Sequence, residues 1–86
     1  MDIPGWRRKI DEIDKEILRL LNERAECSIA VGKIKREKQL PVMSREREEE
    51  IMRRLVENNP GPLKNDQIRQ LFSLILEHSR TLQNNI

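Results

Sequence analysis

The sequence predicts an all-α protein of three helices, one long and two shorter, whose first helix needs a second chain to cover it. Only Trp6 and Phe72 are aromatic among 86 residues, which argues against a sheet because strands favour aromatic side chains. Glu, Lys, Arg, Leu and Ile dominate the composition, as they do in long helices. The prolines stand only at positions 4, 41, 60 and 62. They divide the chain into three long proline-free segments, of which the third follows Pro62. A chain of this length predicts a single domain, 1–86.

The first segment predicts an unusually long helix, at about residues 4–39. Pro4 fits the first turn of a helix, where a missing N–H costs nothing, and Pro41 forces the helix to stop. About 35 residues that rise roughly 1.5 Å each make a rod on the order of 50 Å. A compact domain of this size has a radius of gyration of about 12 Å, so the chain cannot cover its own first helix.

Two shorter helices follow. Ser44 is a good N-cap for a second helix at about residues 45–57, because its hydroxyl can accept from the first turn. The segment 58–62, Asn-Asn-Pro-Gly-Pro, is a strong helix breaker. We therefore expect the third helix at about residues 65–84.

The long helix carries an apolar stripe that one residue interrupts. The stripe alternates steps of four and three, which is the rhythm of helices that pack on other helices. Its members are Trp6, Ile10, Ile13, Ile17, Leu20, Cys27, Val31 and Ile34. Arg24 breaks the stripe, and Lys35 returns to nearly the same face eleven residues later. Two bases that face a neighbouring helix predict a site for a small anion, whereas bases that extend along the helix to solvent are the plain alternative.

Polar residues interrupt the apolar faces of the other two helices as well. Glu48 shares a face with Ile51 in the second helix, and Ser79 and Gln83 lie on the apolar side of the third. Each position alone has a structural alternative. Acidic residues such as Glu48 are common in the first turn of a helix, and a serine such as Ser79 can donate to a carbonyl of its own helix. Taken together with Arg24, however, these positions predict one polar pocket inside a helix bundle. Bases, an acid and neutral donors suit a ligand with carboxylates and a hydroxyl.

The remaining features exclude several classes of protein. The 17 basic and 15 acidic residues are interspersed, so we expect no nucleic-acid partner. One cysteine, Cys27, fits a reducing cytoplasmic setting, and we expect neither a signal peptide nor a membrane-spanning segment. No metal-ligand cluster, glycine-rich phosphate loop or nucleophile paired with a base is visible, so we expect no metal and no cofactor.

The order of these motifs resembles the all-helical, AroQ-type chorismate mutases over nearly the whole chain. The matching segments are Trp6–Asp14, Leu20–Arg24, Val31–Lys35, Pro41-Val42, Arg47-Glu48, Leu71–Glu77, Ser79 and Gln83. The resemblance implies an intertwined homodimer with two equivalent sites. It also implies the Claisen rearrangement of chorismate to prephenate, the step toward phenylalanine and tyrosine, without a cofactor.

The resemblance also implies roles for individual residues. Lys35 and Gln83 would donate hydrogen bonds to the ether oxygen of chorismate, on which negative charge develops. Glu48 would accept a hydrogen bond from the ring hydroxyl. The carboxylates would be bound by Arg24, by Arg47, by Ser79 and by Arg7 of the other chain. Ser44 stands where relatives often carry an aspartate near the ring hydroxyl, so its contact with substrate is the least supported of these roles.

Two other functions fit parts of this pattern. An isochorismate–pyruvate lyase shares the fold, but the family pattern implies that lyases lack the glutamate after the second-helix arginine, so Glu48 favours the mutase. A non-catalytic helical dimerisation module would explain the long helix. It would not explain why Arg24, Lys35, Ser79 and Gln83 all face inward.

Overall fold

The computed structural model describes residues 1–85, and these residues form three α-helices, which confirms the predicted fold class. Residue 86, the last of the predicted domain, lies outside the described residues. The three helices are α1 (Ile3–Glu37), α2 (Arg45–Asn58) and α3 (Asn65–Asn84). α1 has 35 residues, against 14 in α2 and 20 in α3.

Local chemistry explains both ends of α1. Asp2 caps its start, because the carboxylate Oδ1 accepts a hydrogen bond of 2.9 Å from the Gly5 N–H. The helix ends at Glu37, two residues earlier than the expected end near Gln39. Gln39 adopts φ 57°, in the left-handed region, and the Leu40 N–H donates back to the Lys35 carbonyl at 2.8 Å. The chain has therefore already turned when it reaches Pro41, whose predecessor disfavours the helical conformation.

The turn between α2 and α3 is organised by one asparagine. The side-chain amide of Asn59 donates to the Leu63 carbonyl at 2.7 Å and to Asn65 Oδ1 at 2.9 Å. Its oxygen accepts from the Gly61 N–H at 3.1 Å, and Gly61 takes φ 74°, which glycine adopts without a steric penalty. These bonds hold the start of α3 close to the end of α2.

Charged side chains pair along the helix surfaces, as interspersed acids and bases predict. On α1, Arg19 donates to Glu16 at 2.8 Å and to Glu23 at 3.0 Å. The hydrogen bond from Arg19 holds the pKa of the Glu16 carboxyl below its usual value. These side chains are well exposed, so the pairs add little to the stability of the fold.

Packing is centred on α3. Among the described residues, α3 contacts both other helices, and α1 and α2 do not pack against each other. The molecule measures 54 × 25 × 15 Å, with a radius of gyration of 15.9 Å, because α1 extends well past the other helices. Leu76 on α3 is the one buried large apolar side chain, at 5% exposure, within residues 1–85. No described helix combines the length and the apolar character needed to span a membrane.

Most of the apolar stripe of α1 has no cover within one chain. Trp6 is 51% exposed, and Ile10, Ile13, Ile17 and Leu20 are comparably exposed. A stripe of this size is rarely left in water, since large exposed apolar patches mark interaction surfaces. A single chain therefore leaves this stripe open to solvent.

Replacing Leu76 by Ala should lower the free energy of unfolding by about 2–4 kcal/mol, because it leaves a cavity at the one buried large apolar position within residues 1–85. Denaturant unfolding monitored by circular dichroism measures this change. The matched control is Leu63→Ala in the α2–α3 turn, where the side chain is largely exposed and the loss should stay below about 1 kcal/mol. Equal losses for the two variants would contradict the assignment of Leu76 as the core.

Candidate active site

A cleft of about 260 Å³ lies where α1, α3 and the start of α2 meet. Seven of the eight residues predicted as site residues line it, although they come from all three helices and the loop before α2. These seven are Arg24, Lys35, Ser44, Arg47, Glu48, Ser79 and Gln83. The eighth, Arg7, does not line the cleft. It lies 17 residues before Arg24 on the same helix, which corresponds to about 25 Å along the axis.

The deepest part of the cleft joins α1 to α3 through hydroxyl groups. Arg24 Nη1 donates to Ser79 Oγ at 3.2 Å, and the hydroxyls of Ser28 and Ser79 form a short hydrogen bond. Ser28 is 7% exposed and Ser79 is 9% exposed. Arg24 thus turns toward α3 instead of following its own helix to solvent. Ser79 bonds across to α1, and not back to a carbonyl of α3.

Lys35 closes one end of the cleft. Its Nζ donates to the Val42 carbonyl at 2.8 Å, so the loop between α1 and α2 is tied to the side chain that enters the cleft. An ammonium group has three N–H donors, and this bond uses one of them. Two donors of Lys35 remain for a ligand.

The first turn of α2 contributes an N-cap and a base. Ser44 Oγ accepts from the Arg47 N–H at 3.3 Å, which fixes the start of the helix. The Arg47 guanidinium donates to Glu50 Oε1 at 3.0 Å, one turn along α2. That pair is exposed and therefore weak, so the guanidinium can leave Glu50 for a stronger partner.

Glu48 meets a partner that sequence reasoning missed. Arg80 Nη1, on α3, donates to both carboxylate oxygens of Glu48, at 2.6 and 2.7 Å. Arg80 lines the cleft, as does Ser28. Helical spacing places both residues on the faces that carry site residues, because Arg80 follows Leu76 by four positions and Ser28 follows Arg24 by four, but it does not show what they contact.

Gln83 brings an unpaired hydrogen-bond acceptor into the protein interior. Its Oε1 is the one buried side-chain oxygen or nitrogen within residues 1–85 that has no hydrogen-bond partner. Buried polar atoms in folded proteins are almost always paired. A group that donates a hydrogen bond would therefore complete the surroundings of this oxygen.

The charge of the cleft selects anions. Four cationic side chains line it, against one carboxylate. The cations are Arg24, Lys35, Arg47 and Arg80. No histidine is among the lining residues, and Cys27, which also lines the cleft, therefore has no neighbouring base there. This lining suits the binding of a small anion, and it offers no pair of side chains for covalent catalysis.

The fold and cleft define the class of protein as a small all-helical protein with a cationic binding site built from three helices. Residues 6–84 match the model of the family described as chorismate mutase type II, and the chain belongs to this family. This finding confirms the resemblance identified from the sequence.

Individual relatives agree with the family assignment. A chorismate mutase (form II) from Thermus thermophilus superposes with a TM-score of 0.94 at 38% identity, over 95% of this chain and 93% of that one. A chorismate mutase from Helicobacter pylori, solved in complex with prephenate, has a TM-score of 0.88 at 29% identity, over 96% and 90% of the two chains. A bifunctional chorismate mutase/prephenate dehydratase from Neisseria gonorrhoeae is 43% identical over 70 residues, which are 81% of this chain. The match spans only 19% of that relative's length.

Proposed function

We propose that this protein is a chorismate mutase, which rearranges chorismate to prephenate within the cationic cleft. One observation carries the proposal: seven side chains that the family pattern assigns to the site line a single cleft, although they are spread over sixty residues of sequence. Family membership and the prephenate bound by the Helicobacter pylori relative support the same reaction.

The composition of the cleft suits the chemistry of this reaction. In the Claisen rearrangement, one C–O bond of chorismate breaks while one C–C bond forms within the same molecule. No proton or electron pair has to pass to the protein, so the cleft needs no nucleophile. The protein has to hold the reactive diaxial conformer and to stabilise negative charge on the ether oxygen.

The donors for the ether oxygen are Lys35 and Gln83 in this proposal. Lys35 keeps two unused N–H donors after its bond to the Val42 carbonyl. Gln83 lines the cleft, and its side-chain amide carries two N–H donors on Nε2. The bond to Val42 holds Lys35 in place before substrate arrives, which is the condition for electrostatic stabilisation of a transition state.

The carboxylates of chorismate would be held by arginines and a serine. Arg24 uses one N–H on Ser79, and its guanidinium has others available for a carboxylate. Arg47 would exchange its exposed partner Glu50 for a substrate carboxylate. Ser79 would assist from the position between Arg24 and Ser28.

The ring hydroxyl of chorismate would donate to Glu48. An ionised carboxylate only accepts hydrogen bonds, so Glu48 distinguishes a hydroxyl from a second anion at this position. Ser44 lines the cleft nearby, but its hydroxyl is already engaged as the N-cap of α2. Its contact with substrate is therefore the weakest part of the site assignment.

A second copy of the chain completes this proposal. The exposed apolar stripe of α1 fits the same stripe on an identical helix, and burying it would stabilise a homodimer. Arg7 lies too far along α1 to reach the cleft of its own chain. A partner helix that runs in the opposite direction would bring its Arg7 to this cleft. We assign the homodimer to the cytoplasm, where the unpaired Cys27 stays reduced.

Purified protein should consume chorismate and form prephenate in buffer that contains a metal chelator, because no step of the proposed reaction needs a metal or cofactor. Chorismate absorbance follows the consumption, and chromatography identifies the product. Release of pyruvate from isochorismate would identify a lyase instead. Absence of turnover with either compound at high protein concentration would indicate a dimerisation module.

Replacing Lys35 by Met, or Gln83 by Ala, should lower kcat by about 100- to 1,000-fold, as the loss of one preorganised donor does in other enzymes. Steady-state kinetics measures kcat, and circular dichroism checks that the helices persist. Lys33→Met is the matched control, since Lys33 is an exposed lysine of the same helix outside the cleft. Near-normal kcat in either cleft variant would remove the role proposed for that donor.

Mixing an Arg7→Ala chain with an Arg24→Ala chain should restore activity that neither variant has alone. Each heterodimer would hold one site with both arginines intact and one site with neither. Random exchange between two-fold dimers then yields about a quarter of the native activity per chain. Activity is measured after the subunits have exchanged, and native mass spectrometry gives the fraction of heterodimers. The two measurements together test whether Arg7 acts across chains. Heterodimers that form without regaining activity would show that Arg7 does not act across chains.

A further inference from the structure

Arg80 and Glu48 form an ion pair that differs from every other pair in residues 1–85. The other described ion pairs join residues three or four positions apart on one helix. The Arg80–Glu48 pair instead joins α3 to α2, over 32 positions of sequence. Its side chains are also less exposed, at 32% for Arg80 and 22% for Glu48. Both the connection and the burial make it a stronger contact than a surface pair.

This pair links the first turn of α2 to α3, the helix that also packs against α1. α2 packs against α3 and not against α1 within the described chain. The distance from Glu48 to the bases of α1 therefore depends on how α2 is attached to α3. Arg80 follows Ser79 directly and precedes Gln83 by one turn, so it lies between two side chains of the cleft.

The geometry of the pair leaves Glu48 able to bind a ligand. Arg80 contacts both carboxylate oxygens through the single atom Nη1. A carboxylate has about four acceptor positions, so at least two remain open. The guanidinium thus fixes the direction of the carboxylate without using up its capacity to accept a hydroxyl.

The pair also forms part of the wall between two cavities. A second cavity of about 410 Å³ lies between α2 and α3, on the other side of Glu48 and Arg80. Glu48, Leu76 and Arg80 line both cavities. Without the guanidinium, the Glu48 carboxylate could turn away from the cleft into this second space.

We infer that Arg80 is a positioning residue, which holds the Glu48 carboxylate in the direction where it accepts the ring hydroxyl of chorismate. The inference rests on the proposed function, since it assigns a role in that same site. The hydroxyl is not part of the bonds that break or form, so its contact with Glu48 is similar in the bound substrate and in the transition state. Loss of such a contact raises KM and leaves kcat nearly unchanged.

Replacing Arg80 by Met should raise KM for chorismate about tenfold and change kcat by less than about threefold, the size expected for a weakened bond to a charged group. Methionine keeps most of the apolar stem but leaves the partly buried Glu48 carboxylate without its counter-charge, so the melting temperature should fall, and kinetics are measured well below it. Arg80→Lys keeps a cation beside Glu48 and should restore KM to within about threefold of the native value. Arg69→Met on α3 is the matched control, because Arg69 pairs only with Asp66 of its own helix.

A double-mutant cycle separates action through Glu48 from direct contact with substrate. In the Glu48→Gln background, Arg80→Met should cause no further rise in KM, because the group that Arg80 positions is already lost. A further rise equal to that in the native background would mean that Arg80 binds substrate itself, and it would overturn the inference. The inference would also be overturned if Arg80→Met had the native KM, or if Arg80→Met lowered kcat while KM stayed constant.

Failure of this inference is distinguishable from failure of the proposed function. If the native protein does not turn over chorismate, the proposed function fails and the role of Arg80 fails with it. If the native protein is active and Arg80→Met has native kinetics, only the role of Arg80 fails. Should Arg80→Met not fold, Arg80→Lys and Arg80→Gln give the same comparison with a polar side chain retained.

Discussion

The rest of the structure depends on the length of α1 relative to the helix that covers it. α1 has 35 residues and α3 has 20, which correspond to about 52 and 30 Å. α3 therefore meets only part of α1, and the apolar stripe from Trp6 to Leu20 remains exposed. The bond from Arg24 to Ser79 lies just past that exposed stretch. The cleft thus forms where the cover of α1 begins, close to the surface that a second chain would bury.

The fold was predictable because its determinants are local. Prolines and caps delimit the helices, and the regular spacing of apolar residues in the long helix can be recognised without tertiary information. The break in that spacing at Arg24 also pointed to the cleft that Arg24 lines, since a base in an apolar stripe needs an anionic partner. The end of α1 was less predictable, because Gln39 enters the left-handed region without a local sequence signal for it.

The sequence did not predict the contacts of Arg80 and Ser28 with residues of other helices, and the reason is physical. With 17 basic residues in 86, a single arginine such as Arg80 does not stand out, and only the approach of α2 to α3 gives it Glu48 as a partner. Ser28 is hidden in the same way, since a serine in a helix is ordinary until it meets Ser79. Patterns along one helix identify the face of a residue, but they do not identify what packs against that face.

The partners of the four cations divide them into two kinds. Arg24 bonds to a hydroxyl, Lys35 to a backbone carbonyl and Arg47 to an exposed carboxylate. Each of these contacts is weaker than a sheltered bond to an anionic ligand, so a substrate carboxylate or a developing oxyanion can replace or supplement it. Arg80 alone is held by both oxygens of a partly buried carboxylate. If Arg80 left Glu48 to bind a ligand, the partly buried Glu48 carboxylate would lose its counter-charge, and this loss costs free energy. Three cations therefore have contacts that an anionic ligand could replace or supplement, whereas the fourth is held by its carboxylate partner.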